Sequence, residues 1–466
     1  MYKALFNSAS PNQIAKAGII GTGHFATAVV TQSVSISRLH IPIVADTNLK
    51  AGVNAFQQAG IANEEIAICE STTEVKQAWE NNKRIVVPDA SLMMDLPIDI
   101  VVEATGIPEA GARHSLEAIE HGKHLAMVSK DVDIVIGPIL KHLADKAGVV
   151  YTQVDGDQHG LLVQLVEWAR ELGLEVISAG KFLEFDLIFD PESNRIGWGQ
   201  TSIHIESSQS SCFEPFKGKA LAGRYRTRRE ALGSLGTHKG YDVVEMALAA
   251  NVASLQPDTP ALHGPAIRVN EIADLLCDKA RGGILNSIGV VDCVSCLRYP
   301  FEAAMGGGVF AVVDASTDYS RQIMHTKGLP PNSFGNAGLI FRPYHLCGVE
   351  TATSLLSAVL LKQPTSGKDL SPKYDVAAKT RIDLKKGDPV GSDKSPELQA
   401  MMLPFSGSNE NTPIPLHLAR GNALAQDKPA GSMITYKDVQ TPESSVLWDL
   451  RRQQDQLFHP SEISNR

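Results

Sequence analysis

A glycine-rich turn near the N-terminus has residue types and spacing that suit a dinucleotide. Gly21, Gly23 and Ala26 form G-x-G-x-x-A between the apolar run AGII and a helix-compatible stretch. Small residues there allow a sharp turn, close approach of a pyrophosphate and tight helix–strand packing, and the helix N-terminus attracts the anion. We expect a nicotinamide dinucleotide to be bound by Gly21, Thr22, Gly23, His24 and Phe25.

An acidic residue ends the next apolar run, IPIVAD. Asp46 lies 23 residues after Gly23, where a carboxylate can accept hydrogen bonds from the ribose hydroxyls of NAD and would repel the 2′-phosphate of NADP. Thr47, Asn48 and Lys50 could soften that preference. The sequence therefore predicts NAD or NADP as the cofactor and favours NAD.

Two further apolar runs end in polar residues at the same predicted sheet edge. IDIVVEATG supplies Ala104, Thr105 and Gly106 after a predicted fourth strand, and HLAMVSK supplies Ser129 and Lys130. Because open α/β sheets bind ligands at the carboxyl ends of their strands, we expect these residues to contact the cofactor. Lys130 would polarise a carbonyl or relay a proton there, or it would simply be solvated.

The loop QVDGDQHG places Asp155, Asp157 and His159 between a strand and a helix. Three roles are possible for this loop: acid–base chemistry with Asp157, substrate binding by Asp155 and His159, or capping of the helix near Leu161. A strand-like segment then carries Lys181, Glu184 and Asp186, and its alternation predicts that Glu184 and Asp186 share a face. No metal is required, but a divalent ion would take its hard oxygen ligands from Asp155, Asp157 and Glu184.

Other candidates lie further along the chain. Lys181 is a predicted catalytic residue that binds a substrate oxygen, and His345 in RPYHL is a predicted proton-transfer residue. Glu184, His263 and Arg342 are predicted to bind substrate, the arginine through a carboxylate or phosphate. A cluster of four arginines is either a solvated face or an anion contact; its members are Arg224, Arg226, Arg228 and Arg229.

The elements that must position these residues alternate between apolar runs and helical patterns over roughly residues 15–155. That alternation predicts an α/β fold with a doubly wound parallel sheet, the Rossmann type. Residues 1–155 form the predicted dinucleotide-binding domain, 156–365 an α+β central domain, 366–440 a small β domain and 441–466 a C-terminal helix. The polar stretch from residue 193 to 230 is poor in periodicity and predicts a long, irregular excursion that is either a lid or partly mobile.

Composition narrows the class of protein. The chain has 466 residues, 43 basic and 52 acidic, for a net charge of -9, which disfavours polyanionic partners; we expect neither nucleic acid nor membrane partners. Six cysteines are too few for a disulfide framework, so the expected location is the cytoplasm. Cys293 and Cys296 form a lone C-x-x-C that we interpret as two small residues in a strand.

Several segments together resemble one family. These segments are GIIGTGHFA, EATGIPEAG, HGKHLAMVSKDVDIVIGPILKHLADKAGVVY, VISAGK, ALHGP, FRPYHL and AAKTRIDLKKGDPV. Together they resemble homoserine dehydrogenase-like oxidoreductases with a C-terminal SAF domain. That group includes 1-deoxy-D-xylulose 5-phosphate reductoisomerase-like (DXR-like) proteins. The resemblance implies a Rossmann domain, a catalytic domain that also carries subunit contacts, and a β-clip SAF module. It also implies a homodimer or homotetramer.

The expected activity is NAD(P)-dependent hydride transfer to or from a small, polar, hydroxylated carbonyl compound. One alternative is a DXR-like reductoisomerase that makes 2-C-methyl-D-erythritol 4-phosphate and needs a divalent metal to hold vicinal substrate oxygens. A second alternative is an NAD(P)-binding sensor or assembly protein that performs no chemistry.

Overall fold

The fold is described from a computed structural model, which covers residues 2–9, 11–216, 218 and 221–458. The chain forms two compact units. The first unit contains the described residues within 1–160, 346–398 and 404–466, and the second contains those within 161–345 and 399–403. The domain bounds expected from the sequence stay predictions.

The first unit is built on a seven-stranded sheet in which every neighbouring pair is parallel. Its first strand lies near the middle and the chain winds outward from it in both directions, which confirms the doubly wound α/β fold. In spatial order the strands are Ile66–Ile68, Arg84–Val87, Leu39–Ala45, Ala15–Ile20, Ile100–Glu103, His124–Met127 and Tyr151–Gln153.

One strand differs from the sequence prediction. Arg84–Val87 pairs with Leu39–Ala45 and was not expected, so Ile100–Glu103 is the fifth strand along the chain and not the fourth. Both faces of the sheet are covered, because Ile19 and Val102 pack in one apolar cluster and Ile20 and Val101 pack in another. This explains why the strands are apolar without alternation.

Helices connect and cover these strands. Pro108–Glu120 and Lys130–Ala147 match the helical patterns in the sequence, and the second ends at Gly148 in the left-handed conformation (φ 70°). The α-helices of the first unit are Tyr2–Ala9, His24–Ser33, Leu49–Gln58, Thr72–Glu80, Ser91–Met94, Pro108–Glu120, Lys130–Ala147, Gln158–Glu171, Thr351–Leu356, Leu416–Ala419 and Val446–Phe458. Of these, Gln158–Glu171 continues into the second unit. A π-helical turn, Ser357–Leu361, follows Thr351–Leu356.

The C-terminal part of the first unit is mostly β. After the strand Tyr374–Thr380, isolated antiparallel bridges join Lys379 to Met433, Leu384 to Lys428 and Leu424 to Val439. The predicted C-terminal helix forms over Val446–Phe458, whereas residues 459–466 of that prediction lie outside the described residues.

The second unit contains a mixed sheet. In spatial order its strands are Thr201–His204, Arg195–Trp198, Leu187–Asp190, Val290–Arg298, Glu175–Phe182, Val309–Asp314 and Gly338–Arg342. The short strands Gln256–Pro257 and Ala266–Ile267 pair with Val290–Arg298, and the strand Leu398–Pro404 contributes its residues 399–403 to this unit. The α-helices are Ser207–Ser210, Leu221–Leu232, Gly240–Ala253, Ile272–Leu275 and Asp318–Thr326. The described residues of the two units also form short 3-10 helices, which are Asn63–Glu65, Ser211–Phe213, Val269–Glu271, Lys279–Arg281 and Tyr436–Asp438.

The segment that the sequence predicted to be irregular is largely ordered. It contains the hairpin Arg195–Trp198 and Thr201–His204 and most of the helix Leu221–Leu232. Arg228 on that helix is fully buried and forms two hydrogen bonds with Glu271, so it is neither a solvated residue nor a ligand contact.

Cys293 and Cys296 are buried in the strand Val290–Arg298, as predicted. Burial raises the pKa of both thiols well above the usual range, which fits packing residues and not reactive thiolates.

Candidate functional site

The glycine turn of the first unit is shaped for close approach by a ligand. Gly21 has φ 85°, and a Cβ on it would lie 2.8 Å from the carbonyl oxygen of Ala104, so only glycine fits. Gly23 precedes the helix His24–Ser33, and a Cβ built on it meets no described atom within 4 Å. The turn therefore leaves backbone N–H groups of a ten-residue helix open to an anion.

Asp46 lies at the end of the neighbouring strand and holds this turn. The N–H and hydroxyl of Thr22 donate to Asp46 Oδ2 at 2.7 and 2.6 Å, and the N–H of Asn48 donates to Oδ1 at 2.8 Å. The carboxylate is half-buried, and it borders the same cavity as the turn.

That cavity has a volume of about 760 Å³, which suits a dinucleotide portion. Among the predicted cofactor residues, it is lined by Gly21, Thr22, Gly23, Asp46, Ala104 and Thr105. Gly106 and Ser129 line an adjoining cavity of about 340 Å³, which also contains Lys130. His24 and Phe25 begin the helix that follows the turn.

A fully buried carboxylate, Glu103, organises the loop at the sheet edge. The N–H and hydroxyl of Thr105 donate to Glu103 Oε1 at 3.2 and 2.5 Å, and His114 Nδ1 lies 3.6 Å from the same oxygen. The N–H of Gly106 donates to Ser129 Oγ at 2.8 Å, which ties two strand ends together. Glu103 was not among the predicted site residues, although it ends an apolar strand, a position typical of a site carboxylate.

Lys130, Asp157 and His159 come together beside this loop. Lys130 Nζ lies 3.3 Å from Asp157 Oδ2, and His159 Nδ1 lies 3.8 Å from Asp157 Oδ1. Burial alone would raise the pKa of Asp157, but Lys130 and His159 outweigh it and hold the pKa well below its usual range. Asp157 is therefore a carboxylate that orients the Lys130 ammonium.

The two aspartates of the loop have different surroundings. The hydroxyl of Thr353 donates to Asp155 Oδ2 at 2.5 Å, and the N–H of Asp155 donates to Ser354 Oγ at 2.8 Å, so Asp155 anchors the helix Thr351–Leu356. Asp157 also accepts from the N–H of Gln158, the first residue of the next helix, at 2.8 Å.

The expectation that Glu184 and Asp186 share a strand face is wrong. The strand ends at Phe182 and the next begins at Leu187, and between them Glu184 is exposed while Asp186 is buried. Arg298 Nε donates to Asp186 Oδ2 at 2.6 Å. The N–H of Met305 also donates to Asp186 Oδ2, at 3.0 Å, and Glu184 and Asp186 both border one cavity.

In the second unit, Lys181 is buried among acidic and aromatic side chains. Its Nζ lies 2.7 Å from Asp242 Oδ1 and also pairs with Glu245, both on the helix Gly240–Ala253, and it lies 5.6 Å from the ring centre of Tyr241. Burial and Asp242 raise the pKa of Tyr241 to about 12. Loss of the Lys181 proton would leave two buried carboxylates without a countercharge.

Asp242 and Glu245 were not predicted from the sequence. A signal is present, since YDVVEM places two acids three residues apart on an otherwise apolar helix, and such acids need a buried cation.

The remaining candidates of the second unit have structural partners. His263 Nε2 lies 2.9 Å from Asp258 Oδ2, and the backbone N–H of His263 donates to Asp292 Oδ1 at 3.1 Å. His345 Nδ1 lies 2.7 Å from the carbonyl oxygen of Gly307. The Arg342 guanidinium stacks on the ring of Tyr344 at 4.8 Å. Their roles in catalysis or substrate binding stay predictions.

Two known protein families match separate parts of the chain. Residues 38–152 match the NAD-binding domain of homoserine dehydrogenase, and residues 229–351 match the catalytic domain of oxidoreductase DRL. One matched model is an NAD-binding domain and the other is the catalytic domain of an oxidoreductase. The resemblance to homoserine dehydrogenase-like oxidoreductases is thereby confirmed, whereas the SAF assignment stays a prediction.

Solved structures similar to this chain include three dehydrogenases or reductases. A probable dehydrogenase from Thermotoga maritima is 12% identical over 75% of this chain and 90% of its own, with a TM-score of 0.37. 1-Deoxy-D-xylulose 5-phosphate reductoisomerase from Zymomonas mobilis in complex with NADPH is 15% identical over 37% of this chain, with a TM-score of 0.28, and the match spans 46% of its length. Levoglucosan dehydrogenase in complex with NADH and L-sorbose is 16% identical over 38% of this chain and 45% of its own, with a TM-score of 0.28.

The chain has no significant match among curated proteins. Within the part of the chain that the structure describes, no helix has the length and apolar character needed to cross a membrane.

Proposed function

We propose that the protein transfers a hydride between a nicotinamide cofactor and the carbonyl carbon of a small, polar, hydroxylated compound. The observation that carries this proposal is the Lys130–Asp157 pair, whose 3.3 Å contact lies beside Thr105 and Gly106 at the carboxyl edge of the sheet. Ligands of doubly wound folds bind at that edge, so a proton-transfer group lies where the nicotinamide is expected.

The bound cofactor would supply or accept the hydride. In the direction of reduction, Lys130 Nζ donates a proton to the carbonyl oxygen as the carbon gains the hydride, and Asp157 keeps the lysine oriented and charged. Lys181, held between Asp242 and Glu245, is proposed to bind a substrate oxygen. Asp155, Glu184, His159, His263, His345 and Arg342 complete the proposed substrate-binding and proton-transfer set.

NAD is the favoured cofactor in this proposal. The support is the position of Asp46, whose carboxylate borders the 760 Å³ cavity at the end of the second strand. A 2′-phosphate would bring a second negative charge next to it.

A reductoisomerase of the DXR-like kind is the second candidate. The observation that favours it is the match of residues 229–351 to the DRL catalytic domain. Such a reaction would make 2-C-methyl-D-erythritol 4-phosphate and would require a divalent metal, so turnover would stop with a chelator and return with Mg²⁺ or Mn²⁺.

A turnover screen tests the proposal. Hydroxy acids, polyols and sugar phosphates are mixed with NAD, NADH, NADP or NADPH, and the nicotinamide absorbance is followed. With the best substrate, Lys130→Met should lower kcat at least about 100-fold while NADH binding is retained, because a positioned acid contributes about 10²–10⁴-fold. Lys146→Met, an exposed lysine on the same helix, is the matched control and should match wild type.

Two results would contradict the proposal. Full activity in Lys130→Met would remove the lysine from the reaction. NADH binding without turnover of any compound by the wild type would favour a sensor or assembly role.

The proposed setting is the cytoplasm, supported by a count of six cysteines, which is too few for a disulfide framework in a chain of this length. We also propose a homodimer or homotetramer, on the resemblance of the chain to homoserine dehydrogenase-like proteins. Light scattering would then give about two or four times the chain mass of 50.1 kDa.

A further inference from the structure

Three side chains from separate segments of the first unit converge at the edge of the 340 Å³ cavity. Asp131 is the second residue of the helix Lys130–Ala147, Asp393 follows the C-terminal part's first strand in the chain, and His417 lies in the helix Leu416–Ala419. One ligand atom from each lies within 4.8 Å of the others. Asp131 and Asp393 both line the cavity.

His417 is the unusual member of this group. Its side chain is 0% exposed, and neither ring nitrogen has a hydrogen-bond partner among the described residues. Nε2 points between the two carboxylates, 3.7 Å from Asp131 Oδ1 and 3.8 Å from Asp393 Oδ2. Buried imidazoles are normally satisfied, so an orphaned one aimed at two acids indicates a missing ligand.

We propose that Asp131, Asp393 and His417 bind a zinc ion. Zinc takes imidazole nitrogen and carboxylate oxygen at about 2.0–2.2 Å in tetrahedral geometry, which places ligand atoms roughly 3.4 Å apart. The two observed distances from Nε2 are close to that spacing. They are too long for hydrogen bonds from a protonated His417, which require about 2.7–3.2 Å.

The surroundings favour an ion with an open coordination position. Arg420 Nη1 donates to Asp131 Oδ2 at 2.7 Å, which leaves Oδ1 directed at His417. The side chains of Asp393 and His417 are at most 4% exposed, whereas the cavity gives access from one side. Lys130, Lys394 and Arg420 also line this cavity, so an anionic oxygen could occupy the fourth position.

Metal content tests the proposal without any measurement of turnover. The full-length protein is treated with a chelator, dialysed, titrated with Zn²⁺ and analysed by plasma mass spectrometry. Wild type should retain about one equivalent of Zn²⁺ per chain. His417→Gln and Asp393→Asn should weaken Zn²⁺ binding at least about tenfold, since even outer-shell changes cost 10–100-fold.

The matched control is His142→Gln, on the same helix as Asp131, which should bind Zn²⁺ as wild type does. Wild-type protein loaded with Co²⁺ should also show the visible absorption of a tetrahedral site, a result that requires no variant to fold. Absence of stoichiometric Zn²⁺ in the wild type, or equal Zn²⁺ binding by His417→Gln, would overturn the proposal. Because Zn²⁺ content is read directly, failure of the hydride-transfer proposal would leave this outcome unchanged.

Discussion

At the scale of single residues, Asp46 has two effects that can be separated. It holds the glycine turn through Thr22, and it places negative charge at the edge of the cofactor cavity. Asparagine in its place keeps a side-chain oxygen that can accept from Thr22, but it removes the charge and the oxygen that accepts from the N–H of Asn48. The substitution therefore tests the charge while the hydrogen bonds from Thr22 are kept.

We predict that Asp46→Asn raises the ratio of kcat/KM for NADP to kcat/KM for NAD by about tenfold or more. The reason is the loss of repulsion toward the 2′-phosphate, for which about 1.4 kcal/mol suffices. Steady-state kinetics with both cofactors measures the ratio, and Asp95→Asn, an exposed carboxylate, is the control. An unchanged ratio would show that Asp46 does not select the cofactor.

Site residues could be predicted from the sequence where their contacts are local in the chain. The glycine turn, Asp46 and Lys130 follow from strand–turn–helix order, which fixes the edge at which strand ends meet. By contrast, Glu245 contacts Lys181 across 64 residues, and His417 meets Asp131 from a different part of the chain. The YDVVEM pattern signals that Glu245 needs a buried cation, but local periodicity does not identify that cation, because tertiary packing brings the partners together.

At the scale of elements, the helix Lys130–Ala147 depends on another helix to complete its hydrogen bonds. Pro138 interrupts its interior, and proline removes a donor and distorts the preceding turn. The N–H of Ile139 donates to Gln454 Oε1 at 3.1 Å, and Gln454 Nε2 donates to the carbonyl of Val135 at 3.0 Å. The amide of Gln454 thus replaces a helical hydrogen bond.

We predict that Gln454→Leu lowers the free energy of unfolding by about 2 kcal/mol or more. Leucine fills the space but leaves a buried N–H and a buried C=O without this partner, at about 1–3 kcal/mol for each group. Urea denaturation followed by circular dichroism measures the loss. Gln453→Leu, exposed on the same helix, should change stability by no more than about 0.5 kcal/mol, and equal losses would contradict the role of Gln454.

A second element-scale prediction concerns acid stability. Burial would raise the pKa of Asp438, but hydrogen bonds from Lys428, Thr435 and Gln426 outweigh it and lower the pKa to about 2. Since the folded pKa is below the unfolded value of about 3.9, the stabilisation is complete above that pH and is lost as the pH falls toward 2.

Asp438→Asn should therefore be less stable than wild type at neutral pH, and the gap should narrow between about pH 4 and about pH 2. Thermal melting across that pH range measures the gap. Asp318→Asn, whose side chain is 99% exposed, should follow wild type throughout. A gap independent of pH would exclude the carboxylate as the cause.

Element prediction succeeded where pattern and length agreed and failed elsewhere for physical reasons. The strand Arg84–Val87 is only four residues long and begins with an arginine, so it lacks a strong apolar pattern. The segment from Lys181 to Ile188 alternates like one strand, but bonds from Met305 and Gly307 to residues 186 and 183 break it into two. The predicted C-terminal helix forms, with Leu447 and Leu450 buried and Leu457 43% exposed.

At the scale of the whole molecule, the first unit is assembled from distant parts of the chain. Arg451 illustrates this, because its guanidinium forms two 2.7 Å bonds with Asp375 and approaches the carbonyl of Val135 at 3.4 Å. It is 1% exposed. One side chain therefore links segments more than 200 residues apart in sequence.

We predict that Arg451→Met destabilises the protein by about 3–5 kcal/mol, because Asp375 would become a buried charge without its partner. Arg452→Met is the matched control, since Arg452 is exposed and pairs only with exposed Asp449 among the contacts described, and it should change stability by no more than about 0.5 kcal/mol. Differential scanning calorimetry distinguishes the two. Similar melting curves for both variants would show that the buried pair does not hold the unit together.

The divided first unit has a consequence for synthesis on the ribosome. Its sheet is complete by residue 153, but the helix that supplies Gln454 and Arg451 is translated about 300 residues later. At about 5–20 residues per second, the nascent sheet waits roughly 15–60 s for its last layer. During that interval the apolar side of Lys130–Ala147 is open to chaperones, and a ribosome that stalls late would release a chain whose first domain is still unfinished.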